Sequence, residues 1–149
     1  MSIAGLGHFD GKTHILPLRV YYEDTDLSGV VYHANYLRYM ERARTEFFRL
    51  AGVTKMADLD SDEPTAWAIR EVRTSYHRPA RVDDTLTVKT QLVAISGARI
   101  EAVQKIYAGD ILLMDGRIEA CIITLTGKPR RLPASLRHLL TPFLVETDT

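Results

Sequence analysis

Along the first third of the chain the hydrophobic positions change period once. From His14 to Glu23, Leu16, Leu18, Val20 and Tyr22 alternate with Pro17, Arg19, Tyr21 and Glu23, which predicts a strand. Pro17 has no amide hydrogen to give a ladder, so that strand belongs at an edge or near a strand start. From Tyr36 the spacing becomes four and three. Tyr36, Met40, Ala43, Phe47 and Leu50 form one apolar stripe, with Arg38, Arg42, Thr45 and Arg49 on the other side. Asn35 is the expected N-cap and Gly52 the expected C′ residue of a helix of about 16 residues.

Residues 52–64 are polar and end in a proline, which reads as a loop. Beyond it, Thr65–Tyr76 reads as a strand, and alternation returns in Leu86, Val88, Thr90, Leu92 and Ala94. It continues in Ile100, Ala102, Gln104 and Ile106, and in Leu112, Met114, Ile118, Ala120 and Ile122. Turn residues separate these runs, so consecutive hairpins in a meander are expected. Ala134–Leu140 predicts a short last helix. Residues 1–12 are Gly-rich and unpatterned, and they and 141–149 are expected to be mobile around a core at about 14–127. One domain over 1–149 follows, of class α+β, with one long helix laid on an antiparallel sheet. Such a sheet leaves a face and edges uncovered, which predicts oligomerisation.

Composition narrows the function classes. Nineteen basic and nineteen acidic side chains balance, which argues against nucleic-acid binding. The hydrophobic fraction of 46% is that of a globular domain, and no apolar run is long enough to span a membrane. A single cysteine, Cys121 in a β-branched run, forbids an intrachain disulfide and reads as a buried strand residue. With no signal-peptide pattern at the N-terminus, a cytoplasmic location is expected. The five histidines lack metal-ligand spacing, so no metal site is expected, and no G-x-S-x-G elbow is present.

The chemistry concentrates in Tyr22–Tyr36, YEDTDLSGVVYHANY. Three carboxylates lie between the strand end and the helix start, where free N–H groups favour an anion or a developing oxyanion. A carboxylate held there could attack a carbonyl, or activate water toward it, and Gly29 would let backbone approach a ligand closely. A capping and turn segment with solvated acids is the plainer reading of the same residues. Asp24-x-Asp26-x-Ser28-Gly29 also mimics the start of a calcium loop, but position 12 is Asn35 where a bidentate Glu is needed.

Asp24-Thr25-Asp26-x-x-Gly29-x-Val31-Tyr32-His33-x-x-Tyr36, followed by Glu41-Arg42-Ala43-Arg44, resembles the hotdog-fold acyl-CoA thioesterases. Tyr76-His-Arg-Pro79-Ala80-x-x-Asp83-Asp84-x-Leu86 and Lys128-Pro-Arg-Arg-Leu-Pro133 resemble the same group, the Tol–Pal-associated branch of the 4-hydroxybenzoyl-CoA thioesterase family. The likeness runs over about residues 14–137 in matching order.

That resemblance implies hydrolysis of an acyl-CoA, with Asp26 as nucleophile or general base and the backbone N–H of His33 polarising the thioester carbonyl. Gly29, Val31 and Tyr32 are expected to contact substrate, and Glu41 is a reserve carboxylate on the helix. The phosphates of coenzyme A call for cations, and Arg78, Arg81, Arg99, Lys128, Arg130 and Arg131 are the candidates. Solvated surface charge explains the same cations without a ligand. No cofactor is expected, since coenzyme A is part of the substrate. The resemblance further implies a homotetramer built as a dimer of dimers, and possible partners in an envelope complex. Hydratase or dehydratase chemistry on acyl thioesters, using His33 with Glu41, is one alternative. A non-catalytic module binding acyl-CoA or protein is another.

Overall fold

The computed structural model describes residues 7–53, 57–58, 60 and 62–145. The order is β1 (His8–Asp10), β2 (Thr13–Arg19), α1 (Asn35–Leu50), β3 (Ala57–Asp58), β4 (Thr65–Tyr76), β5 (Thr85–Ile95), β6 (Arg99–Ala108), β7 (Ile111–Thr124), β8 (Pro129–Arg130) and α2 (Ala134–Leu140). The strands form one antiparallel sheet in the order β1-β2-β5-β6-β7-β4-β3, with short β8 also paired to β7. Helix α1 lies across one face, in the α+β arrangement that the alternation and the single helical stripe require.

The inward positions of β5, β6 and β7 are those read from the alternation. Leu86, Val88, Ile106, Met114 and Ile118 are buried, while Lys89, Lys105 and Arg117 face outward. Leu112 is an exception. A bulge between Ile106 and Tyr107 inserts one extra β7 residue, so Leu113 takes the buried place. The helix stripe is also corrected. Phe48 and Tyr39 are buried with Tyr36, Met40, Ala43 and Phe47, and Leu50 stays partly exposed at the helix end.

Gly52 closes α1 as expected, with φ +104° and the paired bonds Gly52 N–H to Arg49 O and Val53 N–H to Phe48 O. Asn35 is not the N-cap. Ala34 holds that place without a side-chain bond, and Asn35 is the first helical residue. Pro17 sits on β2 beyond the reach of β1, where a missing N–H leaves no ladder bond unmade.

The expected meander fails at one joint. β5, β6 and β7 are successive hairpins, but β4 pairs with β7 rather than with β5. Residues 77–84 therefore cross the end of the sheet, and their turn chemistry encodes a reversal without naming the strand that receives it. The crossing is tied down at several points. Leu113 O accepts His77 and Arg78 N–H, Ala80 N–H donates to the Tyr36 hydroxyl at 2.9 Å, and Val20 exchanges bonds with Asp83 and Asp84.

The core also runs wider than 14–127. Phe9 of β1 stacks on Phe143 at 4.4 Å and meets Phe47 edge-on at 5.0 Å, and Leu132 and Leu140 are buried in the same cluster. Residues 1–6 and 146–149, part of the expected mobile ends, lie outside the described residues.

Candidate active site

Residues 22–36 fold as a short 3-10 turn, a tight hairpin and the first turn of α1. The 3-10 turn covers Tyr22–Asp24, which ends the alternation two residues early and leaves Tyr22 exposed. Thr25 then bridges Val31, Asp26 N–H donates to Val30 O at 3.0 Å, and Gly29 N–H closes the turn on Asp26 O at 3.1 Å. Gly29 has φ +81°, and nothing lies within 4 Å of where its Cβ would be. The glycine supplies the left-handed conformation that this turn requires.

Asp26 projects from this hairpin as an exposed carboxylate. Its Oδ1 accepts the Ser28 hydroxyl and, at 2.8 Å, the Ser28 N–H. The hydroxyl bond first, and the N–H second, hold the Asp26 carboxyl below its ordinary range, so it is ionised at neutral pH. Weaker contributions from the Val30 and Asp26 backbone N–H groups act on the carboxyl in the same direction. The exposed side chains of Tyr21, Tyr22 and Leu27 flank this segment.

The opposite arm leads into the helix. Asn35 N–H donates to Tyr32 O at 2.8 Å, and Leu37 N–H to Ala34 O at 3.2 Å, so residues 32–35 already turn in the helical sense. None of the turn and cap bonds of the described residues uses the N–H of His33 or Ala34. These are the free amides at the positive end of the helix. The His33 ring is exposed and lies 4.6 Å from that of Tyr32, which is itself half exposed. Val31 is buried in the core and gives its N–H to Ala80 O at 2.8 Å, so its side chain faces inward.

Asp24 joins the two arms, a role the sequence did not suggest. Its carbonyl accepts Tyr32 N–H at 2.9 Å and the Asn35 side-chain amide at 2.8 Å, and its carboxylate accepts Tyr21 N–H. Burial, reinforced by the nearby Asp24 carboxylate, pushes the Tyr39 phenol upward and keeps it neutral. Tyr76 and Tyr36 also escaped the sequence reading as polar groups. Tyr76 donates its hydroxyl to His33 O at 3.1 Å, and the Tyr36 hydroxyl anchors the crossing loop at Ala80. Only the tertiary fold brings those hydroxyls to the helix start.

The candidate cations divide into two groups. Arg78 and Arg81 lie on the crossing loop beside the hairpin, where Val30 bridges Arg81. Arg99, Lys128, Arg130 and Arg131 lie at the other end of the sheet: Arg99 is level with Cys121, whereas Tyr76 is level with Met114. The 16-residue helix that separates the ends spans about 24 Å. Two of this second group have acidic partners, Arg99 with Glu119 at 3.1 Å and Arg130 with Glu63 at 2.8 Å. Glu41 is exposed on the helix. Among the described residues no group of three His, Cys, Asp or Glu side chains could hold a metal ion, and no helix is long and apolar enough to cross a membrane.

Residues 20–140 match the thioesterase-like superfamily. The acyl-CoA thioester hydrolase YbgC of Escherichia coli is 40% identical over 122 residues, covering 80% of this chain and 90% of that protein. The acyl-CoA thioesterase YbgC of Haemophilus influenzae is 36% identical over 129 residues, covering 83% and 93%. A crystal structure of a probable thioesterase from Bartonella henselae has a TM-score of 0.76 at 41% identity, over 81% of this chain and 98% of that one. The chain therefore belongs to the thioesterase-like superfamily, with its hotdog fold, and is a thioester hydrolase.

Proposed function

We propose that this protein is an acyl-CoA thioesterase in which Asp26 is the reacting carboxylate and the free amide of His33 polarises the thioester carbonyl. One observation carries the reading. An ionised, exposed carboxylate and the free first-turn amides are held on the two arms of a single hairpin, tied together through Asp24. As general base, Asp26 takes a proton from water while the oxygen bonds to the thioester carbon, and the oxyanion rests on the amide. Collapse breaks the carbon–sulfur bond, and the departing thiolate takes the proton from Asp26, which releases coenzyme A and the acid and restores the carboxylate. As nucleophile, Asp26 displaces the coenzyme A thiolate from the acyl carbon to form an anhydride, which water then opens to the acid and the free carboxylate. Both routes use the same carboxylate.

Arg78 and Arg81 are suited to coenzyme A phosphates from within the subunit. Arg99, Lys128, Arg130 and Arg131 are too far along the helix for that, and would serve a site completed by a neighbouring subunit. Exposed Tyr21, Tyr22 and Leu27 around Asp26 favour such a covered, interfacial site, in a dimer or a dimer of dimers. The motif likeness extends the proposal to a cytoplasmic enzyme of the Tol–Pal-associated branch.

The test is thiol release from short, long and aromatic acyl-CoAs, with light scattering on the same sample. Saturable release with at least one acyl group is expected from an oligomer. Acyl-CoA that binds without releasing thiol would sink the enzymatic reading.

A further inference from the structure

The His33–Ala34 peptide occupies a special place in the first turn. Asn35 N–H bonds Tyr32 O, so His33 and Ala34 are the two central residues of that turn, and their shared peptide is its middle unit. A middle peptide has no partner inside its own turn and is the unit that flips between turn types. Here its carbonyl is taken from outside, by the Tyr76 hydroxyl of β4 at 3.1 Å. Ala34 has φ −68° and ψ −22°, the conformation in which its N–H points out of the helix start. A flip would carry Ala34 toward positive φ, and the Tyr76 bond opposes it.

The neighbouring peptide is fixed differently. The His33 N–H shares its unit with Tyr32 O, which Asn35 N–H holds at 2.8 Å. One amide is thus oriented by the helix itself and the next by a side chain from the sheet.

We infer that Tyr76 is a positioning residue, whose hydroxyl locks the 33–34 peptide so that Ala34 N–H stands beside His33 N–H as a second donor to the thioester oxygen. The inference rests on the acyl-CoA thioesterase reading above. Preorientation matters because a donor that must first reorient loses much of its advantage at the moment charge develops. The ring of Tyr76 lies 5.4 Å from Tyr36 and 6.4 Å from His33, contacts that phenylalanine retains.

Tyr76→Phe removes only the hydroxyl. We expect kcat to fall about tenfold to a hundredfold with KM changed less than about twofold, because the bond acts on transition-state donors rather than on ground-state binding. The ¹⁵N resonance of Ala34 should shift in Tyr76→Phe, since its amide shares a peptide with the carbonyl that loses its partner. An unchanged kcat, a loss confined to KM, or an unmoved Ala34 resonance overturns the inference. Absence of thiol release by the unaltered protein would instead condemn the thioesterase reading, while the resonance still reports whether Tyr76 holds the peptide.

Discussion

The side-chain amide of Asn35 reaches the backbone carbonyl of Asp24 at 2.8 Å, and that bond joins the helix start to the hairpin bearing Asp26. Two substitutions separate the forces at this position. Asp at the first helical residue should gain about 0.3–1 kcal/mol from the helix dipole. It also replaces a donor with a charged acceptor facing a carbonyl, and loss of a part-buried bond costs about 1–3 kcal/mol. The second effect is larger. Asn35→Asp should therefore lower the urea midpoint, and by more than Asn35→Ala; a rise would show that the dipole dominates.

Ser28 sets the ionisation of Asp26. Because the Ser28 hydroxyl and N–H hold the carboxyl below its ordinary range, activity that needs the carboxylate is retained above that lowered value and lost as pH falls through it. Ser28→Ala removes the hydroxyl, so the acid limb of kcat/KM should move to higher pH. Asp26→Asn should reduce kcat by about 10²–10⁴ at every pH with no change in circular dichroism, since the carboxylate is exposed and supports no core contact. A limb that stays in place in Ser28→Ala assigns it to another group.

The two groups of cations should differ in their effect on KM. Arg78→Gln and Arg81→Gln are expected to raise KM for acyl-CoA and flatten its rise with salt while leaving kcat unchanged. Arg99→Gln and Arg130→Gln should have smaller effects, because Glu119 and Glu63 already partner them. Initial rates at several ionic strengths decide this, and a KM indifferent to salt in the unaltered protein makes all six cations surface charge.

Stability should depend on a polar group beneath the helix. Gln104 is fully buried between α1 and the sheet, accepting from Arg44 at 2.9 Å and donating to Met40 O and the Thr90 hydroxyl, each at 2.9 Å. Gly116 is its register partner on β7, and a Cβ there would come within 2.8 Å of Met40 Cε, so the helix sits directly on that row. Gln104→Ala should cost about 2–4 kcal/mol, combining a cavity with unpaired partners. Gln104→Met keeps the volume and should cost less, as urea titration would show. Equal losses would make the network, rather than the volume, the whole effect.

Local pattern was enough for most of the fold. The bounds of β4 were legible from Pro64 and the turn-rich residues 78–84 that flank it, and the alternation of β5 to β7, the apolar stripe of α1 and its glycine stop are likewise properties of consecutive residues. The Asp26–Gly29 turn was legible for the same reason. What failed was long-range: the partner of β4, the burial of Leu113 rather than Leu112, and the core contacts of Phe9 and Phe143. Each depends on a strand or ring far away in the chain.

The site divides along the same line. The sequence by itself placed a carboxylate, Asp26, seven residues before His33 at the approach to the helix, because their spacing belongs to one short segment. Tertiary structure decided which groups hold them there. Asp24 O, the Tyr76 and Tyr36 hydroxyls and the loop crossing at Ala80 meet only when the sheet is assembled, and it is also the sheet's length that parts Arg78 and Arg81 from the other cations. A hydrogen bond between β4 and the helix start has no local signature, since its two ends are 43 residues apart.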